Sequence, residues 1–318
     1  MTRVTHVSYH HDQSRDEGCF LQFSLRSRAI GPVTLSARGR RQLVCLVPAN
    51  GCRGRALQLL TLSLLSVGVV RALRRTTAWP LPISRQEWND IKKEILNDSP
   101  EQAEFIWHLP PPDQPQAKFA AMGLDRDGTP RSFIRVTLSA VAALCPAQER
   151  GSRSGVAFPT RINSWGHGAW TVERTTVVLT DRHRPVQLEM NQLLALIDDV
   201  QDVLRTPNPP EAHPSHWRPA HGDLTFWNIR RDTTGTTALI DWEQARWAPP
   251  HTDLVRYLFT APHASHMIES VPQAIGAELG EAMDYWDGVL APAEGEPAWA
   301  SRVIERQRRC LEALKAHQ

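Results

Sequence analysis

The chain has 318 residues, a formal net charge of +2 and 22% charged residues. This length is sufficient for two lobes with a sizeable core. The net charge is too small for the protein as a whole to attract nucleic acid electrostatically. The five cysteines follow neither a zinc-ligand nor a disulfide-scaffold spacing, which is typical of a reducing compartment and predicts a cytoplasmic protein.

Residues 1–80 form an arginine-rich extension without a recognisable motif. The stretch RQLVCLVPA, 41–49, predicts a strand, and residues 55–75 predict a helix. The extension is therefore expected to be an extra βα element, or a poorly ordered arm at its start. Its most apolar part, 56–70, is short for a membrane span and contains polar residues, so we expect a buried helix and no stable membrane insertion. The alternative is a helix on a membrane surface, which the arginines at both ends would suit.

Residues 81–178 have mostly strand-forming patterns. Ser84 and Glu87 have the spacing of a capping box at a helix start. Two apolar runs then flank DRDG, 125–128, which indicates a β-hairpin. A second pair of apolar runs flanks GHG, 166–168. This part is predicted to be a small, β-rich N-lobe.

From residue 179 onward the pattern becomes mainly helical, and we expect a helical C-lobe over 179–318. An apolar stripe at helical spacing opens it; its members are Leu188, Leu193, Leu194, Ile197, Val200 and Leu204. Strands followed by helices predict an α+β chain with two lobes.

The most specific segment is HGDLTFWN, 221–228, followed by LIDWE, 239–243. Phosphoryl transfer from ATP needs a carboxylate that orients the attacking hydroxyl, and oxygen ligands for metal ions that bridge the phosphates. Asp223, Asn228 and Asp241 supply such groups from one loop and one strand end. The alternative is that these residues only form turns and caps, where Asp and Asn are common.

This segment, continued by the Asp-Leu pair at Asp253, resembles the catalytic region of the aminoglycoside phosphotransferase and choline kinase family, relatives of the protein kinases. The resemblance implies a two-lobed, protein-kinase-like fold that uses ATP and Mg²⁺. It makes Asp223 the catalytic base and Asn228 and Asp241 the metal ligands. Asp253 would brace the catalytic loop, and His221 would be its structural histidine.

On the nucleotide side, the family has a strand lysine that holds the α- and β-phosphates and pairs with a helix glutamate. The matching position is Arg135, Lys118 is the only lysine nearby, and Glu149 is the candidate partner. Alternation in SFIRVTL predicts that Ile134, Val136 and Leu138 pack into the lobe and that Arg135 faces the phosphates. The alternative for Arg135 is an exposed strand residue.

These features predict a phosphotransferase that acts on a hydroxyl of a small molecule, such as a sugar, an aminoglycoside or an amino alcohol, without a nucleic-acid partner. A catalytically impaired nucleotide-binding or interaction protein of the same fold is the alternative, because Arg135 replaces the lysine. The sequence gives no oligomeric state. Acidic residues on 274–297 indicate either a site for an amine-bearing acceptor or a solvated helix face; they are Glu278, Glu281, Asp284, Asp287, Glu294 and Glu296.

Overall fold

A computed structural model describes most of the chain in separate ranges. These are residues 20–24, 28–32, 35–45, 52–66, 74–76, 81–109, 118–138, 154–179, 183–204, 213–276, 278–291 and 298–317. The chain divides into two compact units, residues 1–138 with 167–172, and residues 139–166 with 173–318. Among the helices within the described ranges, none has the length and apolarity needed to cross a membrane.

The first unit is built on an antiparallel sheet. Its strands are β1 Phe20–Ser24, β2 Arg28–Pro32, β3 Arg74–Thr76, β4 Gln102–Leu109, β5 Lys118–Asp125 and β6 Pro130–Thr137. They lie in the order β3-β1-β2-β4-β5-β6. Three helices accompany the sheet, and they are α1 Ala37–Cys45, α2 Cys52–Ser66 and α3 Arg85–Asp98.

The strand predicted for residues 41–49 is wrong, because residues up to Cys45 lie in α1. Leu43 and Val44 are buried there against Leu62 of α2 and Ile106 of β4. A short apolar run has the same composition in a buried strand and on the buried side of a helix, so its pattern alone does not distinguish the two. A helix is present within the predicted range 55–75, but it begins earlier, at Cys52, and is described to Ser66, whereas residues 74–75 lie in strand β3. The expectation that this helix is buried is only partly met, because Leu62 is buried while Leu59 and Leu60 are exposed.

The start of α3 follows the predicted capping box. The Glu87 N–H donates to Ser84 Oγ at 3.1 Å, and the Ser84 N–H donates to Glu87 Oε2 at 2.7 Å. Trp88 then packs edge-on against Phe105 and Phe119, with ring centroids 5.5 and 6.0 Å apart. The helix thus covers one face of the sheet with its apolar side.

The second unit is mainly helical. Its helices are α4 Met190–Val203, α5 Thr252–Leu258, α6 Ala264–Glu269, α7 Gln273–Gly276, α8 Gly280–Val289 and α9 Ala298–His317. Its strands include the hairpin of β7 Arg161–His167 and β8 Trp170–Thr176, whose tip, 167–172, belongs to the first unit. The other strands are short, and they are β9 Arg184–Pro185, β10 Arg218–Ala220, β11 Ile229–Arg231, β12 Thr237–Leu239 and β13 Arg246–Ala248.

One apolar cluster joins α4, α5, α6, α8 and α9. The predicted stripe on α4 contributes to it: Leu193 and Val200 are fully buried, and Leu194 packs against it from a half-buried position. Tyr257 lies within the same cluster, and its Oη accepts the Leu188 N–H at 3.1 Å. The predicted α+β class, with a β-rich part and a mainly helical part, is confirmed.

Candidate active site

The loop 221–228 connects two strands that belong to different small sheets. β10 ends at Ala220 and pairs with β13, whereas β11 begins at Ile229 and pairs with β12. The Ile240 N–H donates to the Asn228 carbonyl at 3.0 Å and extends the β11–β12 pairing by one step. Asn228 and Asp241 therefore lie at the same open end of this hairpin.

Asp253, in the first turn of α5, holds the start of this loop. Its Oδ2 accepts the His221 N–H at 2.7 Å, and its Oδ1 accepts the Gly222 N–H at 3.0 Å. The side chain is buried, and burial raises the pKa of the Asp253 carboxyl to about 6, although the two N–H donors and the Arg246 charge oppose that shift. The carboxylate thus satisfies two buried main-chain donors that nothing else in the loop would serve.

The His221 ring links the loop to the end of the β11–β12 hairpin through hydrogen bonds of both its nitrogens. Its Nε2 lies 3.1 Å from the Ile240 carbonyl, and its Nδ1 lies 3.3 Å from the Asp223 main-chain nitrogen. A carbonyl can only accept and a main-chain N–H can only donate, so the neutral imidazole carries its proton on Nε2. Complete burial lowers the pKa of His221 to about 3, which keeps the ring neutral.

Gly222 permits a close approach between the loop and the segment after Asp241. Its φ is 76°, and a Cβ at this position would lie 2.0 Å from the Gln244 carbonyl oxygen. Gln244 ends a 3₁₀ turn, Trp242–Gln244, that Asp241 precedes. A side chain at position 222 would therefore push the Asp241 segment away from the loop.

The carboxylate of Asp223 is held from two sides. Arg256 donates to Oδ1 through Nε at 2.9 Å and through Nη2 at 2.6 Å. Asn228 Nδ2 donates to Oδ2 at 3.0 Å and to the Asp223 carbonyl at 2.9 Å. Arg256 was not among the residues predicted from sequence, although its place three residues after Asp253 on one helix was a usable signal, since such residues share a face.

Two side chains with oxygens suited to a hard cation, Asn228 and Asp241, lie at the open end of the β11–β12 hairpin. The Asn228 amide nitrogen is engaged by Asp223, and its amide oxygen accepts no hydrogen bond from the residues that the structure describes. Asp241 is exposed and has a left-handed backbone, φ 70°, an unusual conformation for a residue other than glycine and one enriched at functional sites.

Asn228 and Asp241 suit Mg²⁺, which keeps water and phosphate ligands, better than they suit a metal ion that is bound by protein side chains alone. Magnesium is usually bound through one or two carboxylates, with phosphate oxygens and water completing its coordination. Within the described ranges, no cluster of three or more His, Cys, Asp or Glu side chains could hold a metal ion. Asn228 and Asp241 would therefore hold the ion together with oxygens of a bound phosphate.

On the nucleotide side, the predicted hairpin of β5 and β6 is present, and its register pairs Ala120 with Arg135 and Lys118 with Thr137. Ile134 and Val136 are fully buried, as predicted, so that Arg135 lies on the opposite face of the strand. Lys118 shares the face of Arg135, because both alternate with the buried positions.

Leu138 does not join the aliphatic set that was predicted for β6. It is 48% exposed, because the strand ends at Thr137 and the alternation ends with it. Glu149, the candidate partner of Arg135, lies outside the described residues. The roles of Arg135 and Lys118 toward phosphate therefore stay predictions.

Three of the six acids on 274–297 contact residues of their own unit, while Glu294 and Glu296 lie outside the described residues. Glu281 accepts from His216 Nε2 at 2.7 Å and Trp217 Nε1 at 2.9 Å. Glu278 contacts His251, and Asp287 pairs with Lys315. These contacts favour the structural interpretation of the acidic residues over an amine-binding site.

Two aromatic residues of α8, Trp286 and Tyr285, could offer cation–π contact to an amine-bearing acceptor, but both are engaged with groups of their own unit. Trp286 is buried and donates to the Thr252 carbonyl at 3.0 Å. The Tyr285 ring already faces the Arg246 guanidinium at 5.8 Å. Neither ring therefore favours a site for a cationic acceptor.

Replacing His221 with glutamine is expected to remove an acid-sensitive part of the free energy of unfolding. The folded-state pKa of His221 is lowered from 6.5 to about 3, so the unfolded chain binds the extra proton between these values. Stability falls as pH drops through that window, by about 2 kcal/mol between pH 7 and pH 5.

Asp253 contributes with the opposite sign, because its raised pKa gives stability at low pH that is lost between pH 3.8 and about 6. This contribution is common to wild type and His221→Gln, so the difference between them isolates the histidine. Urea unfolding of both proteins across this range is the measurement. An equal loss of stability in both on acidification would contradict the prediction.

Comparison with known proteins connects this site to one family. Residues 157–289 match the model of the phosphotransferase enzyme family, which confirms the resemblance drawn from the motif over those residues. The matched stretch contains Asp223, Asn228, Asp241, Asp253 and Arg256. No curated protein sequence matches the chain significantly.

Several solved structures match somewhat more than two thirds of the chain at low similarity. The aminoglycoside phosphotransferase APH(4)-Ia is 11% identical, with a TM-score of 0.44 over 71% of this chain and 99% of that one. Amicoumacin kinase hAmiN, in complex with AMP-PNP, Ca²⁺ and Ami, is 10% identical, with a TM-score of 0.36 over 72% and 96%. Choline kinase LicA from Streptococcus pneumoniae is 10% identical, with a TM-score of 0.33 over 72% and 99%. Because these TM-scores are low, the similar structures do not assign roles to individual residues, and those roles rest on the geometry of the site itself.

Proposed function

We propose that this chain, whose residues 157–289 match the phosphotransferase enzyme family, is an ATP-dependent kinase of a small hydroxyl-bearing molecule. One observation carries the proposal. The Asp223 carboxylate is fixed by Arg256 and Asn228, and Asn228 lies with Asp241 at the open end of one hairpin. A base next to oxygen ligands for a hard cation is the arrangement that phosphoryl transfer requires.

In the proposed reaction, Asp223 receives the proton of the acceptor hydroxyl. The hydroxyl oxygen forms a bond to the γ-phosphorus of ATP, the bond from that phosphorus to the bridging oxygen breaks, and ADP leaves. Asn228 and Asp241 would hold Mg²⁺, which supplies charge neutralisation at the phosphate oxygens. Asp253 and His221 keep the loop in the conformation that presents the base.

The proposed acceptor is a hydroxyl of a sugar, an aminoglycoside or an amino alcohol. ATP turnover should be screened against a panel that contains neutral and cationic members of these classes. At least one member is expected to raise ATP consumption above the rate without acceptor. A wild-type protein that binds ATP but turns over with no member would favour the alternative, a nucleotide-binding protein without catalysis.

Arg135→Ala is expected to weaken ATP affinity about tenfold to a hundredfold, because a guanidinium forms charge-assisted hydrogen bonds to phosphate oxygens. Lys118→Ala is the matched control, since Lys118 carries the same charge on the same face of the neighbouring strand. Calorimetric titration of both variants with ATP measures the effect. Unchanged affinity in Arg135→Ala, or a larger loss in Lys118→Ala, would overturn the assignment of Arg135.

A further inference from the structure

We infer that Arg256 is a positioning residue that fixes the Asp223 carboxylate and leaves its Oδ2 as the oxygen that receives the proton. This inference rests on the proposed function, because it assigns a role within the same site. It concerns a residue that the motif around Asp223 does not include, since Arg256 lies 33 residues further along the chain.

The hydrogen bonds around Asp223 distinguish its two oxygens. An ionised carboxylate has about four lone-pair positions, two on each oxygen. Arg256 fills both positions on Oδ1, with Nε at 2.9 Å and Nη2 at 2.6 Å. Asn228 Nδ2 takes one position on Oδ2, at 3.0 Å. One lone pair therefore remains, on Oδ2, and the acceptor hydroxyl is expected to meet the base there.

The arginine is itself held in place by the core of the unit. Its guanidinium carbon lies 5.3 Å from the centroid of the Trp286 ring, a distance that allows cation–π attraction. Trp286 is buried, and its Nε1 donates to the Thr252 carbonyl at 3.0 Å. The direction from which Arg256 approaches Asp223 is thus set by a packed ring on α8.

A single helix secures both the main chain and the base of the loop. Asp253 in the first turn of α5 binds the His221 and Gly222 N–H groups, and Arg256 one turn later binds the Asp223 side chain. Residues three apart on a helix share a face, so the two contacts move together. Side-chain exposures of 22% for Arg256 and 23% for Asp223 leave the pair partly shielded from water while the carboxylate keeps access to a substrate.

The kinetic test uses Arg256→Gln and Arg256→Lys, with an acceptor found in the panel. Turnover at saturating substrates is expected to fall about tenfold to a hundredfold in Arg256→Gln, since a base displaced by about 1 Å loses this much. The KM for ATP is expected to stay within about twofold of wild type, and Arg256→Lys should recover part of the loss. Turnover equal to or above that of wild type in Arg256→Gln would overturn the inference.

Two further variants separate positioning from a general structural effect. Arg309→Gln removes an exposed arginine that pairs with Glu305 on α9, and its turnover should equal that of wild type. Arg256→Ala leaves a space that added ethylguanidinium can fill, and we expect partial recovery of turnover with this cation. If Arg256→Ala is folded but added ethylguanidinium does not restore any of its turnover, a role that depends on the guanidinium is contradicted.

A second measurement does not depend on turnover. The ¹³C carboxyl signal of Asp223 in aspartate-labelled protein can be identified by its loss in Asp223→Asn. In Arg256→Gln this signal is expected to shift, whereas Arg309→Gln leaves it in place; an unmoved signal in Arg256→Gln would overturn the inference. If Arg256→Gln does not fold, Arg256→Lys serves for the same comparison. A wild-type protein without turnover would end the proposed function, and the carboxyl signal would still decide whether Arg256 positions Asp223.

Discussion

Asp223→Asn is expected to lower turnover by about 10²- to 10⁴-fold, the usual loss on removal of a positioned base. An asparagine at this position keeps the size of the side chain and one oxygen that accepts hydrogen bonds, but it cannot take a proton from the acceptor. ATP affinity should stay near that of wild type, because Asp223 bonds to Arg256 and Asn228 and is not assigned to the nucleotide. Steady-state kinetics and calorimetric ATP titration of the same preparation measure both quantities.

The matched control for this substitution is Asp198→Asn, which changes an exposed carboxyl on α4. It should keep the turnover and the ATP affinity of wild type. If Asp223→Asn also keeps wild-type turnover, Asp223 is a structural residue, and the assignment of the base is wrong.

Asp241→Ala is expected to abolish the effect of Mg²⁺ on ATP affinity. The substitution removes the only carboxylate of the proposed ligand pair, and the neutral Asn228 amide oxygen that remains lacks the charge with which a carboxylate holds Mg²⁺ beside the phosphates. ATP should be titrated into wild type and variant with Mg²⁺ and with a chelator.

Wild type is expected to bind ATP more tightly with Mg²⁺ than with the chelator, and Asp241→Ala is expected to bind equally weakly in both. Asp198→Ala again provides the control and should behave as wild type. A variant that retains the full Mg²⁺ effect would show that the ion, if bound, is held by other residues.

The parts of the molecule that sequence predicted depend on short-range patterns. The capping box of Ser84 and Glu87 joins residues three apart, and the α4 stripe follows from helical periodicity. The neighbourhood of Asn228 and Asp241 also follows from local order, because a turn at 232–236 folds β12 back onto β11. In each case the interacting groups are close along the chain, so the pattern specifies the contact.

The parts that sequence did not predict depend on contacts between distant segments. Arg256 meets Asp223 only because α5 packs beneath the loop, and Glu281 meets His216 across 65 positions. The helix at Leu43 and Val44 depends on packing of these side chains against apolar residues of α2 and β4, and its own composition does not specify it. Leu138 is exposed because β6 ends one residue earlier than its alternation suggested.

The most direct test of the central claim is to look for the product, a phosphate ester of an acceptor. Wild type and Asp223→Asn should be incubated with ATP, Mg²⁺ and each panel member, and the products analysed by ³¹P NMR and mass spectrometry. We predict a phosphate ester of at least one member with wild type and a strongly reduced amount with Asp223→Asn. No ester from a wild-type protein that binds ATP, or equal amounts from both proteins, would contradict the proposal.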